Sequence, residues 1–247
     1  MDRSHPRFES LSRREKLAEG FRNGLVVPEG LIAQGRGEAF DYLLGERTID
    51  AAEYAERAAA AALFLAKRAA ISVNGNVAAL AASEVVALSG ASEASVEVNL
   101  FHWSESRARA IREALEAEGA KEVLAENPDR RLEGVAHERG RCHSRGIFGA
   151  DVVLIPLEDG DRASALVEMG KTVISIDLNP LSRTSRAATI SIVDELTRAI
   201  PNITKFVEEL SGDPESARRT MDSYDNSETL SRVFSAILER LKSLSQR

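Results

Sequence analysis

Ile71-Ser72-Val73-Asn74-Gly75-Asn76-Val77 carries the change of period that decides the fold. A short β-branched run enters a turn-forming Asn-Gly-Asn triplet, and an apolar helical pattern then continues over residues 77–88. Upstream the pattern is helical. Residues 12–23 predict a helix that stops near Gly24, and Asp50 caps a long Ala-rich helix reaching about Lys67. Downstream, strands and helices alternate. Strands are expected at 95–100, 121–124, 151–157, 172–176 and 189–193. Helices are expected from Ser104 to Gly119, over 161–169, and from Asp194 or Glu195 to about Leu210. Asp213-Pro214 and Asn226-Ser227 open two more. Residues 127–149 show no period and read as a long loop.

This alternation predicts an α/β, Rossmann-like, doubly wound and mostly parallel six-stranded sheet with added N-terminal and C-terminal helices. The expected strand order is 3-2-1-4-5-6, with 151–157, the most apolar strand, near the centre. The expected organisation is a helical segment 1–70, a nucleotide-binding core 71–210 and C-terminal helices 211–247. In such a sheet the ligand crevice lies at the carboxyl ends of the first and fourth strands, where the winding reverses. That places Asn74-Gly75-Asn76 opposite Glu158-Asp159-Gly160-Asp161-Arg162, with Asp177-Leu178-Asn179 on the same edge.

Composition narrows the function. The 247 residues are 43% hydrophobic and carry 39 acids against 32 bases, a net charge of −7. An acidic balance disfavours nucleic acid as the partner. The unbroken apolar run 58–66 is too short to cross a bilayer, so no membrane role is expected. One cysteine, Cys142, precludes an internal disulfide framework and suits a reducing cytoplasm, and the polar first residues show no signal pattern.

Several motifs carry or imitate chemistry. Gly35-Arg36-Gly37 fails as a dinucleotide fingerprint because Phe40 stands where a third glycine belongs; it reads as an exposed turn presenting Arg36 to a phosphate or carboxylate. Gly170-Lys171-Thr172 imitates a P-loop, but it precedes a strand, and a helix-ending glycine explains it. Asn74 and Asn76 flank a glycine at a helix start, a place suited to an anion or to orienting substrate oxygens. Asp159 and Asp161 belong to an acidic knot able to hold Mg²⁺ or a substrate ammonium. Arg183 and Arg186, with Asp177, Asn179 and Ser182, fit a nucleotide loop. His137, Cys142 and His143 match no common zinc spacing, and no residue is assigned to a resident metal. His102 and Trp103 open a helix and call for no function, and Arg107 falls on that helix's wet face. His5, Arg7, Arg14 and Lys16 form a basic cluster expected to fold back over the crevice, in its own or the partner subunit, and to close on ligand, with Pro6 stiffening it.

The longer motifs bear a resemblance. Ser4-His5-Pro6-Arg7, Gly30-Leu31-Ile32-Ala33-Gln34-Gly35-Arg36-Gly37-Glu38-Ala39-Phe40, Ser72-Val73-Asn74-Gly75-Asn76, Pro156-Leu157-Glu158-Asp159-Gly160-Asp161-Arg162 and Ile176-Asp177-Leu178-Asn179-Pro180-Leu181-Ser182-Arg183 resemble the archaeal phosphopantothenate synthetase family. The likeness runs over nearly the whole chain. It implies a homodimeric ligase that joins 4-phosphopantoate to β-alanine with ATP, releasing AMP and diphosphate. It also implies ATP contacts at Arg14, Arg36, Asp177, Leu178, Asn179, Arg183, Thr184, Glu195 and Leu196. Gln34 replaces the family's usual histidine and Glu195 its usual asparagine, which removes a possible donor. Catalytic roles are expected of Arg36, Asn74, Asn76, Asp159 and Asp161. An oxidoreductase or a non-catalytic nucleotide sensor on the same fold is the alternative.

Overall fold

Residues 4, 5 and 7–246 are described in the computed structural model; Pro6 lies outside them. Three strands, β1 (Ala69–Val73), β6 (Val152–Pro156) and β7 (Thr172–Ile176), are buried almost throughout, as central parallel strands covered on both faces must be. With β2 (Ser95–Val98), β3 (Val123–Leu124) and β8 (Ile190–Ile192) they form one six-stranded sheet in the order β3-β2-β1-β6-β7-β8. All five pairings are parallel, and the winding reverses between β1 and β6. This is the expected doubly wound sheet and strand order. The small antiparallel pair β4 (Arg130–Arg131) and β5 (Arg141–Cys142) lies outside it.

Helices α4 (Gly75–Ser92), α5 (Glu105–Ala117), α6 (Gly160–Glu168), α7 (Arg183–Ala187) and α8 (Leu196–Glu209) flank the sheet. α1 (Phe8–Arg22), α2 (Pro28–Leu44), α3 (Asp50–Leu65), α9 (Pro214–Ser223) and α10 (Asn226–Ser245) complete the chain.

Two expectations are corrected. The 35–37 turn is the middle of α2, whose Pro28 stands in its first turn and which ends at Gly45. Glycine punctuates sequence patterns, but in α2 it serves close packing: a Cβ on Gly30 would lie 2.2 Å from Asn76 Oδ1. Within its own chain the N-terminal segment does not line the crevice. α1 buries Ser10, Arg13, Leu17 and Gly20 against α2 and α4. The small-residue face of α3 packs within the chain: Ala52, Ala55 and Ala58 to Ala62 are buried, with α8, α9 and α10 against the helix. The 127–149 stretch is the expected long loop, and it carries β4, a 3₁₀ turn (Glu138–Gly140) and β5. Its organiser is Glu97, wholly buried in β2, whose carboxylate accepts the N–H groups of His143 at 3.0 Å and Ile147 at 2.7 Å.

A buried charge network fastens α2. Asp41, 1% exposed, accepts from Arg13 of α1 at 3.2 Å and from Arg198 of α8. Arg198 also reaches Asp194 at 2.6 Å, and these carboxylates raise its pKa against the opposing effect of burial.

Candidate functional site

The carboxyl ends of β1, β2, β6 and β7 open on one cavity of about 550 Å³, roofed by α2. This is the crevice that the reversal of winding requires. Leu157, immediately after β6, holds a left-handed φ of 52°, which a bulky side chain adopts only under constraint. The constraint is visible. Its N–H donates to Ile176 at 3.0 Å, and its carbonyl accepts from Asn74 Nδ2 at 3.1 Å.

Asn74 lines the cavity, but its amide is fully committed. Nδ2 donates to the Pro156 and Leu157 carbonyls, and Oδ1 accepts the N–H groups of Asn76 and Val77. With both donors and both lone pairs engaged, it caps α4 and pins the β6 end. Asn76 Nδ2 donates to the Gly30 carbonyl at 2.8 Å, docking α2 onto α4.

On the β7 side, Arg36, Asp177, Leu178, Asn179, Arg183 and Thr184 all line the cavity. Asp177 Oδ1 accepts the Asn179 N–H at 2.9 Å, forming the turn that presents the loop. Burial raises the Asp177 pKa, partly opposed by that N–H, the Ser182 hydroxyl and the charge of Arg36. Arg14, Glu195 and Leu196 do not line it. Arg14 links α1 to α2 through Glu38 at 2.9 Å and the Tyr42 hydroxyl at 3.3 Å. Its pKa is raised chiefly by the Glu38 hydrogen bond. Glu195 caps α8 by accepting the Thr197 N–H at 2.7 Å, and Leu196 is in the core.

Asp159 and Asp161 open α6. Asp159 lines the cavity with Oδ2 3.0 Å from Arg139 Nε, whereas exposed Asp161 accepts His137 Nε2 at 2.8 Å. Burial pushes the Asp161 pKa up, but the His137 contact outweighs it and holds the carboxyl low. Donor atoms of His137, Asp159 and Asp161 lie within 4.8 Å of one another, a set able to hold a divalent cation. His137 stands apart from Cys142, which is buried, and from His143, whose ring meets the Glu126 carbonyl at 2.9 Å.

Sequence reading missed the β2 side. His102, Arg107 and Arg139 line the cavity there. Arg107 sits on the first turn of α5, where an amphipathic pattern assigns it to solvent, and Arg139 sits in the aperiodic loop. The single signal was a basic residue three positions after a helix cap, Ser104, that follows a strand.

Residues 51–240 match the phosphopantothenate/pantothenate synthetase family. A 4-phosphopantoate–β-alanine ligase of Methanosarcina mazei is 58% identical over 97% of this chain and 95% of its own. Ligases of the same name from Thermococcus onnurineus and Thermococcus kodakarensis are each 50% identical over 99% of this chain and 94% of theirs. On that breadth of identity, across both the sheet and the helices that roof the crevice, the chain belongs to the phosphopantothenate/pantothenate synthetase family.

Proposed function

We infer that this protein joins 4-phosphopantoate to β-alanine in an ATP-dependent reaction, giving 4′-phosphopantothenate, AMP and diphosphate in coenzyme A biosynthesis. The observation that carries the reading is identity of 50–58% with ligases of that name over nearly the full length of both chains. The chemistry proposed is an acyl-adenylate path. A carboxylate oxygen of the acid attacks the α-phosphorus of ATP and diphosphate leaves. The amine of β-alanine then attacks the acyl carbon, loses a proton, and AMP leaves.

Arg36 and Arg183, at the β7 edge of the cavity, fit the stabilisation of charge on the triphosphate. Asp177, set beside them, fits the ribose hydroxyls. Asn74 and Asn76 act on the substrate through the backbone they hold, which keeps the reacting groups in line. Asp159 and Asp161 are the carboxylates that would hold Mg²⁺ or the β-alanine ammonium; with His137 they bring three ligand atoms within 4.8 Å of one another, although Asp159 Oδ2 already pairs with Arg139. Mg²⁺ would neutralise phosphate charge. Arg14, Glu195 and Leu196, which do not line this cavity, are kept as nucleotide contacts on the family resemblance alone. A cytoplasmic homodimer completes the proposal.

Incubation with ATP, 4-phosphopantoate and β-alanine should yield AMP only when both co-substrates are present. No AMP would sink the ligase reading. A nicotinamide absorbance change would favour an oxidoreductase, and tight nucleotide binding without turnover would favour a sensor.

A further inference from the structure

The long loop before β6 meets the crevice at one place and the sheet at another. Its turn, Glu138–Gly140, brings Arg139 Nε to 3.0 Å from Asp159 Oδ2, and the preceding His137 Nε2 stands 2.8 Å from Asp161. Behind the turn, two side chains at the end of β2 hold the chain. Asn99 Nδ2 donates to the Arg139 carbonyl at 3.3 Å and to the Arg141 carbonyl at 2.9 Å. Glu97 accepts the His143 N–H on Oε1 and the Ile147 N–H on Oε2. Gly146 lets the loop close on that carboxylate, since a Cβ there would lie 2.0 Å from Oε2.

The His143 ring completes the tie, and its surroundings decide its charge. The side chain is 12% exposed. Nε2 lies 2.9 Å from the Glu126 carbonyl oxygen, and Nδ1 lies 3.4 Å from Glu97 Oε1. Both neighbours only accept. A neutral imidazole has one N–H and one lone pair, so either tautomer turns a lone pair toward an oxygen. The imidazolium presents a proton to each. The charges nearby agree with this. Asp129, which accepts the Ser144 N–H at 2.8 Å and its hydroxyl at 2.7 Å with Arg130 at 3.7 Å, adds negative charge. The Glu126 carboxylate turns away to Arg109 and Arg112 of α5. Arg162 of α6 also feels Glu97, but its hydrogen bonds go to Ser72 and Glu158. Cys142 stays a neutral thiol, its pKa pushed up to about 12 by burial and the charge of Glu97. Burial lowers the His143 pKa, but Glu97, the Glu126 carbonyl and Asp129 outweigh it and hold it above the usual 6.5.

We propose that the His143 imidazolium, locked on Glu97, is a positioning group: it seats the His137–Arg139 turn against Asp159 and Asp161, and loss of its proton releases the turn. His143 does not line the crevice, so it acts through the loop and touches no substrate. Its effect on rate rests on the ligase reading. The folded chain holds this proton more tightly than an unfolded chain does. The tie is therefore complete below pH 6.5 and is lost as pH rises through the His143 pKa.

The first test uses wild type with isotope-labelled histidine. The His143 ring signal, assigned among the four histidines by single substitutions, should titrate above pH 6.5. Amide protection factors of His143 and Ile147 should fall over the same range. The second test compares the kinetics of wild type and His143→Gln across pH. Glutamine keeps a donor for the Glu126 carbonyl and carries no charge. The variant's kcat should be about 10-fold below wild type where His143 is protonated and equal to it where His143 is not, with the KM for ATP changed less than about threefold. A merely structural role would lower kcat by one factor at every pH, and that result overturns the proposal. So does an alkaline loss of activity that persists in the variant, because it belongs to another group such as His137. If the variant does not fold, wild type decides alone: a His143 titration at or below pH 6.5, or protection that does not follow that titration, overturns the proposal. A wild type that forms no AMP from the three substrates overturns the ligase reading, and the titration and protection data then test the tie by themselves.

Discussion

Glu56 shows how one buried carboxyl sets a pH dependence. It is wholly buried on α3, accepts Asn202 Nδ2 at 3.0 Å, and lies near Asp194. Burial and the charge of Asp194 push its pKa from 4.5 up to about 8. Between those values the folded chain keeps a proton that the unfolded chain releases, so stability falls as pH rises through that window. Glu56→Gln keeps a donor toward Asp194 and an acceptor for Asn202. Thermal melts of the variant should therefore show a flatter pH profile and a higher Tm than wild type above pH 8; an unchanged profile would reject the protonated state. Asp177 makes a second case at the same scale. Its half-buried carboxylate lines the nucleotide side, so Asp177→Ala should raise the KM for ATP more than that for 4-phosphopantoate. Equal ATP affinity by calorimetry would remove Asp177 from the ribose.

At the scale of elements, the start of α4 meets α2 and the segment that leads into it too closely for ordinary side chains. A Cβ on Gly75 would lie 2.0 Å from the Leu25 carbonyl oxygen, a backbone atom that cannot step aside. Gly75→Ala should destabilise the fold by about 1–3 kcal/mol and displace the Leu25 segment that orients Arg107, measurable by chemical denaturation. A variant as stable as wild type would show that this approach is looser than the distances state. The same packing explains why α2 was illegible. Gly30, Gly35 and Gly37 break a helical pattern when read in isolation, and only the neighbouring helix and loop account for two of them: Gly30 stands against Asn76, and a Cβ on Gly37 would meet Leu178 at 3.6 Å. By contrast, α4, α5 and α9 announce themselves through Asn74, Ser104 and Asp213, whose side chains accept N–H groups of the first turn; the last helix, expected to open at Asn226-Ser227, is capped one residue earlier by Asp225.

For the whole molecule, the N-terminal helices belong to the body of the protein. Leu17 is in the main core, and Arg13 joins Asp41 and Glu195 in the buried charge network. Deleting residues 1–22 should therefore lose soluble, folded protein, because Asp41 and Glu195 would be left with less compensation and the α4 face uncovered. Soluble truncated protein with a native circular dichroism spectrum would contradict this. A homodimer remains the proposal from family resemblance, without support from α3. Light scattering at micromolar concentration should report about twice the 26.8 kDa chain mass; one subunit mass would reject it.

The local signals in this sequence were enough for the alternation of strands and helices, the strand order and the edge of the sheet where a ligand belongs. Hydrophobic period, turn residues and capping are properties of a few neighbouring residues, and the handedness of parallel crossovers does the rest. That the loop after β7 lines the crevice was legible for the same reason, since Asp177 to Thr184 is one continuous stretch. Tertiary structure alone decided which basic residues meet. Arg107 and Arg139 are separated by a helix, β3 and an aperiodic loop, and nothing in either segment encodes their distance. They converge because Glu97 ties that loop down by two N–H groups while Glu158 anchors Arg139, and because the α5 start is pinned to the Leu25 carbonyl. Burial of charge with its partners is a property of the packed molecule, so the cationic β2 side of the crevice came into view only with the fold.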